Sequence, residues 1–180
     1  MRVEGIVDEL GILGHKDAVF TDERRDNKPS CSKGQVAGFA FGENMMDELN
    51  DTATQFRDLI MRTQKSSLPI TLQDFPKGAC GDTTLLLGHH LAELGHGDFR
   101  YYLGWRDGRS HAWLQSGSVI VDITADQFED FDDPVFVSDR SSWHEEFAGT
   151  DQHAANLAVF GEATEAMLRS AYEAILDSGK

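Results

Sequence analysis

Between residues 44 and 63 apolar side chains return at intervals of three and four, at Met45, Leu49, Ala53, Phe56 and Ile60, with polar residues between them. That period predicts an amphipathic helix, with Asn44 as N-cap, Asp47 and Glu48 at the positive end of its dipole, and "SSLP" as its stop. A second helix is predicted to begin near Cys80. Cys80, Thr84, Leu87, Leu91 and Leu94 share one stripe, and Gly95 follows as a terminator. A third carries Phe160, Thr164, Leu168, Ala171 and Ile175. Between the last two the period shortens to that of strands, in "FRYYLGWR" (99–106), "RSHAWLQ" (109–115) and "SVIVDIT" (118–124). The connections Asp107-Gly108 and Ser116-Gly117 read as two-residue hairpin loops, and "PVFVS" is a candidate further strand. Helix, helix, antiparallel meander, helix is an α+β order, an antiparallel β-sheet packed against helices.

Residues 1–42 sustain no period. They hold a short apolar stretch near Ile6–Leu13, the polar run "TDERRDNKPSCSKGQ", and "QVAGFAFG", which can form a glycine-softened strand. We expect a poorly organised N-terminal segment over 1–42 and one domain over 43–180. The 180-residue length suffices for a single core.

Charge narrows the partners. The formal net charge of −15 disfavours nucleic acid, and no basic patch with interleaved aromatics offsets it. No apolar run approaches the roughly 18 residues that span a bilayer. The N-terminus carries acids where a secretory signal needs a basic start, so a cytoplasmic protein without membrane or nucleic-acid partners is expected. Between residues 122 and 151 a single arginine stands among acids centred on "ADQFEDFDD". This stretch is either a solvated loop or a rim that favours a cationic substrate.

The hairpin holds candidate chemistry. With Ser116-Gly117 as the loop, counting outward places His111 opposite Asp122, on one face and within hydrogen-bonding reach. The same count across Asp107-Gly108 places Gly104 beside His111, where it would leave room to approach the imidazole. A His held by a carboxylate is an oriented base. Cys80, at a helix start, supplies a nucleophile whose thiolate the helix dipole and a neighbouring imidazolium would stabilise. Backbone N–H groups there could hold an oxyanion, with Gln73 as a candidate side-chain donor. Asp126 competes for the carboxylate role from outside the paired register. Cys31, in a polar loop, reads as a bystander. The two cysteines, in a reducing compartment, imply neither a disulfide nor a Cys-based zinc site. "HHLAELGH", with His89, His90 and His96, is not HExxH, so no metal or other cofactor is expected. Trp143-His144 is read either as cleft lining or as packing.

"GACGDTTLLLGHHL", "SHAWLQ" and "VIVDIT" together resemble the Cys, His and Asp motifs of transglutaminase-like cysteine hydrolases, within the papain-like group, over about residues 70–128. "PVFVSDRSSWHEEF" resembles a continuation found in small bacterial members. The resemblance implies a papain/transglutaminase-like core with the nucleophile at a helix N-terminus. It makes Cys80 the nucleophile, His111 the base and acid, and Asp122 the orienting carboxylate, acting on a peptide or protein substrate. Gly81-Asp82 departs from the aromatic that follows the nucleophile in papain-type enzymes. The group spans peptidases, amidases, glutamine deamidases, transglutaminases and non-catalytic binding modules.

Overall fold

The computed structural model describes residues 43–180; Cys31, the "QVAGFAFG" strand and the whole reading of 1–42 lie outside them. In chain order the elements are α1 (Glu43–Arg62), α2 (Cys80–Glu93), β1 (Arg100–Arg106), β2 (Arg109–Ser116), β3 (Val119–Asp122), β4 (Phe136–Ser138), α3 (Ser142–Glu145), β5 (Thr150–Ala154) and α4 (Glu162–Asp177). The architecture is α+β. Five antiparallel strands lie in the order β4-β3-β2-β1-β5.

The helices form where the apolar period ran. Leu49, Ala53 and Phe56 of α1 and Leu168 and Ile175 of α4 are wholly buried. They meet Leu86 and Leu91 of α2 in one core, and that core is closed by Ala112, Leu114, Val119 and Val121 of the sheet. Each large aliphatic or aromatic side chain so buried is worth roughly 1.5–3 kcal/mol. At the stripe ends the period overreaches: Met45, Leu94 and Phe160 are exposed. The other face of the sheet carries a smaller aromatic core of Trp113, Ile120, Phe128 and Phe147. Its cover comes from the long connection after β3, which holds 3₁₀ turn 125–127, β4 and α3.

The two hairpins follow turn chemistry, with one difference from the expected register. Asp107 and Gly108 both have positive φ, 51° and 76°, as a type I′ loop requires. In the second hairpin the loop is Gly117-Ser118, and Ser116 pairs with Val119. Gly117, at φ 59°, takes the first loop position, which a type II′ turn reserves for glycine. The β2–β3 register is therefore two residues removed from that counted on a Ser116-Gly117 loop. A shift of two leaves each side chain on its face. β5 and α3 had no counterpart in the sequence pattern, β5 being the polar edge strand "TDQHA".

Candidate active site

Cys80 is the first residue of α2 and is partly buried. Gly78, at φ +68°, turns the chain into the helix, and Gly81 lets Tyr101 Oη approach to 3.3 Å from where a Cβ would stand. The β2–β3 pairing runs from Ser116↔Val119 to Leu114↔Val121 and then stops. Past that point the Ala112 N–H faces the Cys80 thiol and favours its ionised form. The thiol is thus seated where β2 and β3 part, close enough to the ring of His111 for each to shift the other's protonation.

His111 is fully buried. Its Nε2 lies 2.6 Å from Asp122 Oδ2, which leaves Nδ1 for the thiol. Asp122 ends β3, and its carboxylate receives more than one imidazole. His144 Nε2 lies 3.1 Å from the same Oδ2, while Thr124 donates its N–H at 2.8 Å and its hydroxyl at 2.9 Å to Oδ1. His144 is itself fixed from behind. Ser141 Oγ accepts the His144 backbone N–H, as α3's N-cap, and lies 2.6 Å from His144 Nδ1. With Ser141 donating to Nδ1, the hydrogen that His144 gives to Asp122 sits on Nε2.

These contacts set the charges. Burial opposes an imidazolium at His111, but the Asp122 charge and hydrogen bond, with those of Cys80, outweigh it and push the group up to about 9. Burial likewise opposes the Cys80 thiolate. The hydrogen bond and charge of His111, with the Ala112 N–H, prevail and lower the thiol. Against its own burial, Asp122 is held well below the usual carboxylate range by His111 and His144. Both shifts favour a thiolate–imidazolium pair backed by a buried carboxylate.

Other expected residues lie elsewhere. Gln73 does not join Cys80: its amide donates to Leu68 O at 3.1 Å, within the turns before α2, and it lines a cavity with Ile60, Leu72 and Phe75. The amide that does reach the site is Gln127. Its Oε1 accepts Gly78 N at 3.1 Å, and its Nε2 lies 2.9 Å from Thr124 O and 3.4 Å from His111 Nδ1. Asp126, the competing carboxylate, is taken by Arg57 in a two-pronged ion pair at 2.7 and 3.1 Å. Arg57 also donates to Ile123 O, tying the end of β3 to α1.

The space expected beside Gly104 is filled. Gly104 does lie opposite His111. A Cβ on it would stand 2.5 Å from Phe147 O and 2.7 Å from Phe147 Cβ. The missing side chain therefore admits the 147–149 backbone, which Trp105 N holds at 2.7 Å through Phe147 O. Phe147 and Trp143 in turn wall the imidazole at centroid distances of 5.4 and 5.5 Å.

His89, His90 and His96 do not form a ligand set. His90 Nδ1 meets Tyr172 Oη at 2.8 Å, and His96 Nε2 meets Thr52 Oγ1 at 3.2 Å. Among the described residues one trio has ligand atoms close enough for an ion: His111, Asp122 and His144, all within 4.8 Å. Ligand atoms around a zinc-like ion at about 2.1 Å sit about 3.4 Å apart. The 2.6 Å separation of His111 and Asp122 is instead that of a charge-assisted hydrogen bond. No helix is long and apolar enough to cross a membrane, among the described residues. The chain matches no protein-family model, no curated protein and no solved structure, so the geometry alone carries the functional reading.

Proposed function

We propose that this protein is a thiol-dependent acyl-transfer enzyme of the transglutaminase-like kind, hydrolysing an amide, peptide or isopeptide bond in a peptide or protein. One observation carries the reading. Cys80, His111 and the buried Asp122 stand in series, thiol beside imidazole and imidazole bonded through Nε2 to the carboxylate. Such a series serves nucleophilic catalysis.

The Cys80 thiolate attacks the carbonyl carbon, a C–S bond forms and the carbonyl oxygen takes the negative charge. First-turn N–H groups of α2, which have no partner within the helix, and the Gln127 amide are the donors for that oxygen. The oxyanion collapses, the C–N bond breaks, and His111 passes its proton to the departing amine. The neutral imidazole then takes a proton from water as its oxygen attacks the thioester. Cleavage of the C–S bond returns the acid and the thiolate–imidazolium pair. An amine in place of water would give transglutamination, and a glutamine side chain with water gives deamidation. His144 is a positioning residue: it fixes Asp122, which fixes His111.

Trapping tests the reading. Protein incubated with a mixed peptide pool and quenched in acid is expected to carry an acyl adduct on Cys80, together with cleaved peptide or released ammonia. Cys80→Ala abolishes both, at a cost of several orders of magnitude in rate. Equal turnover by Cys80→Ala sinks it, and repeating the assay with added amine separates the acceptors.

A further inference from the structure

Every lysine and arginine among the described residues lies in an ion pair there, with two exceptions, Lys77 and Arg109. Both exceptions flank the thiol site. Lys77 is exposed three residues before Cys80, and Arg109 is exposed two residues before His111 on the same face of β2. In a chain of net charge −15, these two cations stand without a carboxylate partner among the described residues.

Arg109 is also held. Its guanidinium carbon lies 4.1 Å from the centre of the Phe128 ring, and Phe128 packs edge-on against His111 at 5.1 Å. The charge therefore sits one ring away from the imidazole, stacked, with its N–H fork uncommitted among the described residues. Arg106, on the neighbouring strand, shows the contrast. It stacks on Phe147 and Trp143 but is neutralised by Asp130 and Glu146 at 2.7 and 2.9 Å. Asp107 and Glu129, the acids nearest Arg109 and Phe128 in sequence, form no ion pair with it. The summed charge of the acidic stretch is thus not the charge at the mouth of the site, since Asp126 and Asp130 are consumed by Arg57 and Arg106.

We propose that Arg109 selects a substrate bearing a carboxylate close to the bond that Cys80 attacks, with Lys77 adding to the field. The fork matches a carboxylate in bidentate geometry, and stacking on Phe128 fixes its plane in advance. This specificity rests on the proposed acyl-transfer reaction.

Iodoacetate and iodoacetamide test it. Both are displaced at carbon by the same thiolate with loss of iodide, and they differ in one negative charge. Rates of Cys80 modification are read by peptide mass spectrometry, which keeps Cys31 apart. The iodoacetate-to-iodoacetamide ratio is expected to fall about two- to three-fold in Arg109→Gln, the Coulomb effect of one charge at about 6–10 Å with the screening of bulk water. Arg109→Lys retains most of it, Lys77→Gln lowers it less, and Arg140→Gln leaves it unchanged. Added salt lowers the wild-type ratio toward that of Arg109→Gln. An equal ratio in wild type and Arg109→Gln overturns the selection while leaving the acyl-transfer reading intact. A wild-type Cys80 that reacts with neither reagent faster than an ordinary thiol near pH 6 overturns that reading, and the selection with it.

Discussion

Asp122→Asn tests the site at its centre, because the carboxylate accepts from four donors that an amide cannot all satisfy. His111 and His144 both point N–H groups at Oδ2, and Thr124 points an N–H and a hydroxyl at Oδ1. Whichever way Asn is turned, its NH2 meets at least one N–H head on. Two buried charge-assisted bonds at about 1.5–3 kcal/mol each are at stake. The His111 proton is held tighter still. Raising the group from 6.5 to about 9 corresponds to roughly 3 kcal/mol, and that is what remains after burial has opposed it. Without the carboxylate the ion pair dissolves and Cys80 returns toward its ordinary value of 9.0. At three units below that value, only about one thiol in a thousand is ionised. Iodoacetamide labelling of Cys80 near pH 6 is therefore expected to slow by about 100-fold or more in the variant, with the rates converging near pH 10. Circular dichroism and thermal unfolding of the same samples separate this from loss of fold. An Asp122→Asn protein that is folded and labels as fast as wild type near pH 6 refutes the electrostatic reasoning.

Three further outcomes follow from the geometry. His144→Phe removes the second N–H on Asp122 while keeping an aromatic ring, and should lower Cys80 labelling near pH 6 by about ten-fold. His144→Gln, which can still donate to Oδ2, restores part of it, and equal rates in all three proteins would contradict a positioning role. The pH profile of labelling or turnover should show a plateau bounded by two limbs. The acid limb, where Cys80 takes up its proton, lies below 9.0, because the thiol is lowered. The alkaline limb of turnover, where His111 loses the proton it must deliver, lies near 9, because the imidazolium is raised. A turnover profile that climbs with midpoint 9.0 and has no alkaline fall is inconsistent with the pair. Gly104→Ala pushes a methyl group into Phe147 O and should destabilise the protein by about 1–3 kcal/mol in urea unfolding, whereas an unchanged midpoint would mean that the 147–149 chain moves freely.

The helices were legible because their faces are buried: the stripe of α1 became core from Leu49 to Ile60. The His111–Asp122 contact was legible for a subtler reason. The hairpin count placed the loop one residue early, since Ser-Gly and Gly-Ser are both acceptable loops until φ decides which residue must be glycine. The resulting error in register was two residues, and an even slip preserves the face, so the two side chains still met. Gln73 was chosen for its nearness to Cys80 in sequence. Gln127 reaches the site instead because the turn after Thr124 folds back over His111, a path that no local period encodes. His144 was noted only beside Trp143, as cleft lining or as packing. The signal that could have raised it is Ser141, three residues ahead and able to cap, which marks a helix start that would fix the histidine. Its meeting with Asp122 spans 22 residues of mostly irregular chain and depends on the aromatic packing of that cover.

The central claim is that Cys80 rests as a thiolate paired with a His111 imidazolium. The most direct measurement is the ultraviolet absorbance of the thiolate across a pH titration, taken as the difference between wild type and Cys80→Ser so that Cys31 cancels. The account predicts that this difference already holds thiolate signal near pH 6, disappearing in acid with a midpoint below 9.0. A difference signal that is absent near pH 6 and rises with a midpoint at 9.0 would contradict it.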